Sequence, residues 1–191
     1  MSDLVWFRGK DLRLEDHPGV AAGGPDAVHV FVIDPYFFAA ERAQRIPRRM
    51  QCLVDGLRSL SESLEARGGR LWCVEGRSVD VIPRLAKALK AHRVLAMRWS
   101  EPFGRERDRR IANSLECPLS LLGGETLMEP GTLRSQAGRP YTVFSPFKNS
   151  FRRAYADSGP VVPPKRFTPL GQLPYGWQSV EIPTLDELGL E

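Results

Sequence analysis

Five short apolar runs rich in β-branched residues, Leu4–Phe7, Val28–Ile33, Leu71–Val74, Val94–Met97 and Leu119–Leu122, constrain the fold of this chain more than any other feature. None alternates polar with apolar, and unbroken apolarity over so few residues marks a strand buried on both faces. Between the runs the period changes to that of a helix. Met50, Leu53, Val54, Leu57, Leu60 and Leu64 draw one apolar stripe, which Gly68-Gly69 ends. A second stripe runs through Ile82, Leu85, Ala86 and Leu89, with Pro83 tolerated in the first turn if Asp80 is the cap. A third helix is expected over Phe103–Glu116, its thin apolar face of Ile111, Ala112 and Leu115 on the sheet and its arginines in water.

Strand and helix in alternation predict an α/β fold: a doubly wound, five-stranded parallel sheet of order 3-2-1-4-5 with helices on both faces, Rossmann-like in layout. Ligands of such sheets sit beyond the carboxyl ends of the strands, where the strand order reverses. That rule selects the loops Arg8–Arg13 and Trp99–Arg105. Ser145-Pro146 starts a short helix that places Phe144, Phe147, Phe151 and Tyr155 on one side. From Asp157 onward the prolines 160, 163, 164, 169, 174 and 183 forbid regular helix. The expected division is therefore an α/β domain over 1–156 and a proline-rich connector over 157–191.

Several chemistries are excluded. No G-x-G-x-x-G follows the first strand and no G-x-x-x-x-G-K-[ST] occurs, so the usual phosphate cradles are missing, and there is no G-x-S-x-G elbow. His17, His29 and His92 are isolated, without metal-ligand spacing. Cys52, Cys73 and Cys117 suggest neither a disulfide framework nor a zinc site, which fits a reducing cytoplasm. No apolar run approaches a membrane span. The net charge of +4 permits contact with nucleic acid, but acidic residues interleave Arg105, Arg107, Arg109 and Arg110, so DNA contact is expected to be indirect at most. Arg152, Arg153, Lys165 and Arg166 form a second basic zone near the connector.

The two selected loops are charged and aromatic. In the first, Asp11 is placed to hold Arg13 or Arg8, and mutual ion pairs that shape a turn account for the pattern as well as a ligand does. The second carries Trp99, Ser100, Glu101 and Arg105: a ring on which a flat ligand can stack, or a helix cap followed by an i,i+4 pair of Glu101 with Arg105.

Val5-Trp6-Phe7-Arg8 with Asp11-Leu12-Arg13-Leu14 resembles the opening signature of DNA photolyases and cryptochromes, one residue longer here because of Gly9-Lys10. Asp34-Pro35, the run Glu101–Asp108, and Tyr141–Asn149 are similar to that family in the same chain order. Pro183–Gly189 also resembles the segment leading into the family's second domain. The resemblance implies an antenna domain holding an auxiliary chromophore, known examples being methenyltetrahydrofolate, 8-hydroxy-deazaflavin and flavins. Carried over, Arg8, Asp11, Leu12 and Arg13 would line one wall of the site and Asp34 and Pro35 another. Trp99, Ser100, Glu101 and Arg105 would complete it, with Arg49 reaching an acidic group. Gly104 stands where the folate-binding type tends to carry a Glu, which favours a deazaflavin or flavin, or an empty site.

The resemblance also implies that FAD and the lesion pocket belong to a helical domain absent from this chain, so the chain alone is not expected to be catalytic. Its role would be to pass excitation to FAD, in cis or in trans, for pyrimidine-dimer repair or signalling. Two alternatives remain: an interaction module without chromophore, and a nucleotide-binding α/β protein. With the aromatic helix uncovered, the isolated chain is expected to form a homodimer.

Overall fold

The computed structural model describes residues 2–156 and 161–190. Twelve elements follow in order: β1 (Leu4–Phe7), α1 (Pro18–Gly23), β2 (Val28–Ile33), α2 (Pro35–Phe38), α3 (Ala40–Ala43), α4 (Pro47–Glu65), β3 (Leu71–Glu75), α5 (Ser78–Ala88), β4 (Val94–Met97), α6 (Pro102–Ser114), β5 (Leu119–Leu122) and α7 (Phe144–Ala156). The sheet is parallel throughout and its order is β3-β2-β1-β4-β5, as the alternation predicts.

Side chains of successive strand residues leave opposite faces, and the core divides accordingly. Val5, Phe7, Phe31, Ile33, Leu71, Cys73 and Leu95 meet the stripe of α4 together with Val20 of α1. Leu4, Trp6, Val30, Val32, Trp72, Val94 and Ala96 meet Val81, Ile82 and Leu85 of α5 and Ile111 of α6. Both faces of the inner strands are thus buried, which is why their sequence shows no alternation.

Three helix boundaries differ from the sequence reading. α5 begins at Ser78, not after Asp80, because Asp34 at the end of β2 supplies the cap: its Oδ2 accepts from the Ser78 amide and hydroxyl, both at 2.8 Å. Pro83 therefore lies beyond the first turn and leaves the Val79 carbonyl without its helical donor. α6 spans Pro102–Ser114, two residues short of the expected end, and it does not keep all its arginines in water. Arg107 and Asp108 are buried, whereas Ala112 is exposed. α7 starts at Phe144, which puts Ser145 in the first turn instead of at the cap.

The stretch 157–160, where the connector was expected to begin and which holds Pro160, lies outside the described residues, as does Glu191. Residues 161–190 contain no regular helix or strand, but they are not loose. Phe167, Leu173, Leu188 and Leu190 are buried, and the Val180 amide donates to the Cys73 carbonyl at 2.8 Å. β3 is an edge strand, and this segment crosses its outer edge and packs on both sheet faces, which blocks edge-to-edge pairing there. No helix among the described residues is long and apolar enough to cross a membrane.

Candidate functional site

The carboxyl ends of β1 and β2 open into a cavity of about 480 Å³, in the size range of small-ligand sites. Phe31, Phe38, Met50 and Trp99 give it an apolar lining, and Lys10, Arg42, Arg45 and Arg49 bring positive charge to it. Arg42, Arg45 and Arg49 have no ion-pair partner among the described residues. Arg42 stacks on Tyr36, its Cζ 3.9 Å from the ring centroid, and Tyr36 stacks in turn on Phe103 at 4.9 Å. These two half-exposed rings come from the segments after β2 and β4, on either side of β1 in the sheet, and so bridge the switch point.

Of the residues singled out in the sequence, Arg8, Asp34, Arg49 and Trp99 meet in this cavity. Ser100 and Arg105 do not. They line a second cavity of about 520 Å³ toward β5, and Trp99 contributes to both. Asp11, Leu12, Arg13, Pro35 and Glu101 line neither. Asp11 is buried and accepts from the Arg8 amide, so of the two arginines it could have held it takes Arg8. Arg13 pairs instead with Asp16, and one of its terminal nitrogens donates to the Gly124 carbonyl. Leu12 packs on α4 at Gly56, where a Cβ would come within 3.1 Å of its Cδ1. Pro35 occupies the first turn of α2. The i,i+4 pair of Glu101 with Arg105 does not form, because Glu101 binds Lys10 at 2.9 Å.

Lys10 also reaches Glu125 at 2.8 Å, and Glu125 takes the amide and hydroxyl of Ser100 at 2.9 and 2.6 Å. These bonds, that from Lys10 first, hold the Glu125 carboxyl down to about 2. One glutamate thereby ties together the loops after β1, β4 and β5.

Beneath the cavity lies a buried charged cluster. Asp108 accepts from Arg8 Nη1 at 2.9 and 3.1 Å and from Arg107 Nε and Nη2 at 3.0 and 2.7 Å. Nε and Nη2 of Arg8 have no hydrogen-bond partner, and Arg8 is only 3% exposed. His17 is fully buried: its Nδ1 accepts from the Val20 amide at the start of α1, and its Nε2 lies 3.9 Å from Asp11. Gly104 is where a side chain cannot go. A Cβ there would fall 2.4 Å from Trp99 Cε3, so the glycine is what lets the indole lie flat against α6.

Sequence reasoning missed Lys10, Arg42, Arg45, Arg107 and Glu125. The run Arg42, Arg45, Arg48, Arg49, leading into the first turn of a long helix, was the available signal for the cationic side, since it carries no interleaved acid. Arg107 and Glu125 had none, because what places them, Trp6 for Arg107 and Lys10 for Glu125, is distant in the chain. Among the described residues no His, Cys, Asp and Glu cluster could hold a metal.

The family model described as DNA photolyase matches residues 3–166. The chain belongs to the DNA photolyase family. A deoxyribodipyrimidine photo-lyase of Thermus thermophilus is 38% identical over 186 residues, which cover 96% of this chain and 39% of that protein. A class III photolyase from Agrobacterium tumefaciens superposes with a TM-score of 0.66 at 26% identity, over 95% of this chain and 37% of the other. The photolyase of Sulfolobus tokodaii, described as containing two FAD molecules and as implicating a novel light-harvesting cofactor, shares the fold at TM-score 0.62 and 19% identity, over 89% of this chain and 39% of that one. This photolyase-family domain thus spans about two fifths of the length of these three relatives.

Proposed function

We propose that this domain is a light-harvesting module: its cavity takes a flat conjugated chromophore with an anionic tail and passes the excitation to FAD held by a helical domain, in cis or in trans. The observation that carries this is the pairing of an aromatic, apolar lining with three arginines, Arg42, Arg45 and Arg49, that no carboxylate among the described residues neutralises. An apolar slot favours a ring. Guanidinium groups without carboxylate partners favour a phosphate or carboxylate on the same ligand. The residues present therefore suit a phosphorylated flavin or an acidic deazaflavin.

Gly104 supports a deazaflavin or flavin over methenyltetrahydrofolate, because a side chain at 104 cannot coexist with Trp99 in its observed place. The chromophore supplies the absorption. The chain supplies Trp99 as a surface for the ring, Arg45 and Arg49 for the tail, and the Tyr36–Phe103 bridge to limit water at the mouth. Light-driven pyrimidine-dimer repair is proposed for the assembly with the FAD domain, and α7, with Phe144 and Tyr155 exposed, offers that domain an aromatic face.

The test is titration of the purified chain with FMN, 8-hydroxy-deazaflavin and methenyltetrahydrofolate. The expected result is stoichiometric binding of FMN or the deazaflavin, weakened by salt, with folate binding least. Absence of binding by all three removes the antenna role and leaves an interaction module that uses α7.

A further inference from the structure

Trp6 and Trp99 both line the cavity, and each is faced by the same two guanidinium groups. Arg8 Cζ lies 5.2 Å from the Trp6 ring centroid and 5.5 Å from that of Trp99. Arg107 Cζ lies 4.8 and 4.6 Å from the two rings, and Lys10 Nζ, itself held by Glu101 and Glu125, lies 4.8 Å from Trp99. Placing two like charges side by side under a cavity is costly. Asp108 and Asp11, the latter 3.8 Å from Arg8 Nε, offset part of that cost, yet Nε and Nη2 of Arg8 make no hydrogen bond. Packing alone needs no second cation here.

We propose that Arg8 and Arg107 keep Trp6 and Trp99 from quenching a photoexcited ring in the cavity. This rests on the antenna reading above. An indole beside an excited electron acceptor transfers one electron to it and becomes a radical cation. The electron then returns without emission and the excitation ends as heat, so no outside oxidant is consumed. An antenna fails if this step outruns energy transfer. A cation over the face of an indole attracts the ring in its ground state and repels the positive charge that electron loss would create there. Asp108 and Asp11 balance charge, but they approach the N–H edges of the guanidinium groups while the guanidinium carbons stand over the rings.

The experiment uses this chain with FMN as the probe, occupancy measured by equilibrium dialysis and emission lifetime by time-resolved fluorescence. Compared at equal occupancy, Trp99→Phe, which keeps an aromatic ring at the stacking position, should leave the lifetime of bound FMN as it is in the wild-type chain, because the indole is already silent. Arg107→Met should shorten it about tenfold, the change that ~1.4 kcal/mol of lost repulsion produces. Arg107→Lys should restore it, and Arg107→Met combined with both Trp6→Phe and Trp99→Phe should stay long. A lifetime that lengthens severalfold in Trp99→Phe alone overturns the proposal without needing an arginine variant to fold. So does an unchanged lifetime in Arg107→Met at full occupancy. Failure of dialysis to detect FMN defeats the antenna reading and this inference with it, whereas bound FMN with a short wild-type lifetime defeats only the inference.

Discussion

Asp34 and Ser78, forty-four positions apart, are joined twice through one carboxylate oxygen, Oδ2, at 2.8 Å to the amide and 2.8 Å to the hydroxyl. The other oxygen, Oδ1, accepts from the Tyr36 amide at 3.0 Å and caps α2. A single side chain at the end of β2 therefore starts two helices, and it does so at the edge of the cavity. A residue expected to touch a ligand has both oxygens occupied by backbone and hydroxyl donors.

Asp34→Ala should remove both caps. At about 1 kcal/mol for each, denaturant unfolding should show a loss of ~2 kcal/mol, and Asp34→Asn a smaller one. A loss no larger than that of an ordinary surface substitution would show that the caps are dispensable.

Gly104→Ala should push Trp99 aside, since the new methyl would overlap the indole. The expected signs are a red shift of tryptophan emission and a cost of about 1–3 kcal/mol. Gly171→Ala is the control: nothing lies within 4 Å of its Cβ position, and its effect should stay within about 0.5 kcal/mol.

Burial, followed by repulsion from His17, lowers the His29 pKa from 6.5 to about 4. The unfolded chain then binds a proton that the folded one refuses, so stability rises with pH across that interval. It should be fully present above pH 6.5 and fall by about 3 kcal/mol as the pH drops to 4. His29→Leu should flatten that part of the pH profile of thermal unfolding. A slope that persists in the variant would assign it to other groups.

Phe167 packs edge-on against His29 at 4.9 Å and beside Gly69, and its amide bonds the Arg67 carbonyl. If residues 161–190 are part of the folded unit, Phe167→Ala should cost about 3 kcal/mol in a single cooperative transition. A separate early transition, with the main one unmoved, would make the segment an appendage.

Arg45→Ala and Arg49→Ala should each weaken FMN roughly tenfold, as loss of a charge-assisted bond of ~1.5 kcal/mol predicts. Riboflavin, which lacks the phosphate, should respond to neither. Equal losses for both ligands would move the phosphate away from these arginines.

The strands and their order were legible because each run's composition depends only on burial, and burial on both faces leaves an unbroken apolar string: Leu4–Phe7 and Val94–Met97 coincide with the observed strands residue for residue. The switch-point rule selected the loops after β1 and β4, of which Arg8, Gly9, Lys10 and Trp99 line the cavity at the ends of β1 and β2. What the sequence could not show was which charged side chains face it. Arg105 and Arg107 stand two apart on one helix, yet one is exposed beside the second cavity and the other buried under the first. Position on a helix sets the face; only the neighbouring strand decides whether that face is covered. The start of α5, the burial of Arg107 and Asp108 against Trp6 and Arg8, and the hold of Glu125 on Lys10 and Ser100 all depend on partners brought close by the sheet. Local sequence thus determined the elements and their order, because propensity and burial act over a few residues. Tertiary structure decided the site, because hydrogen bonds and ion pairs act over a few ångströms regardless of separation in the chain.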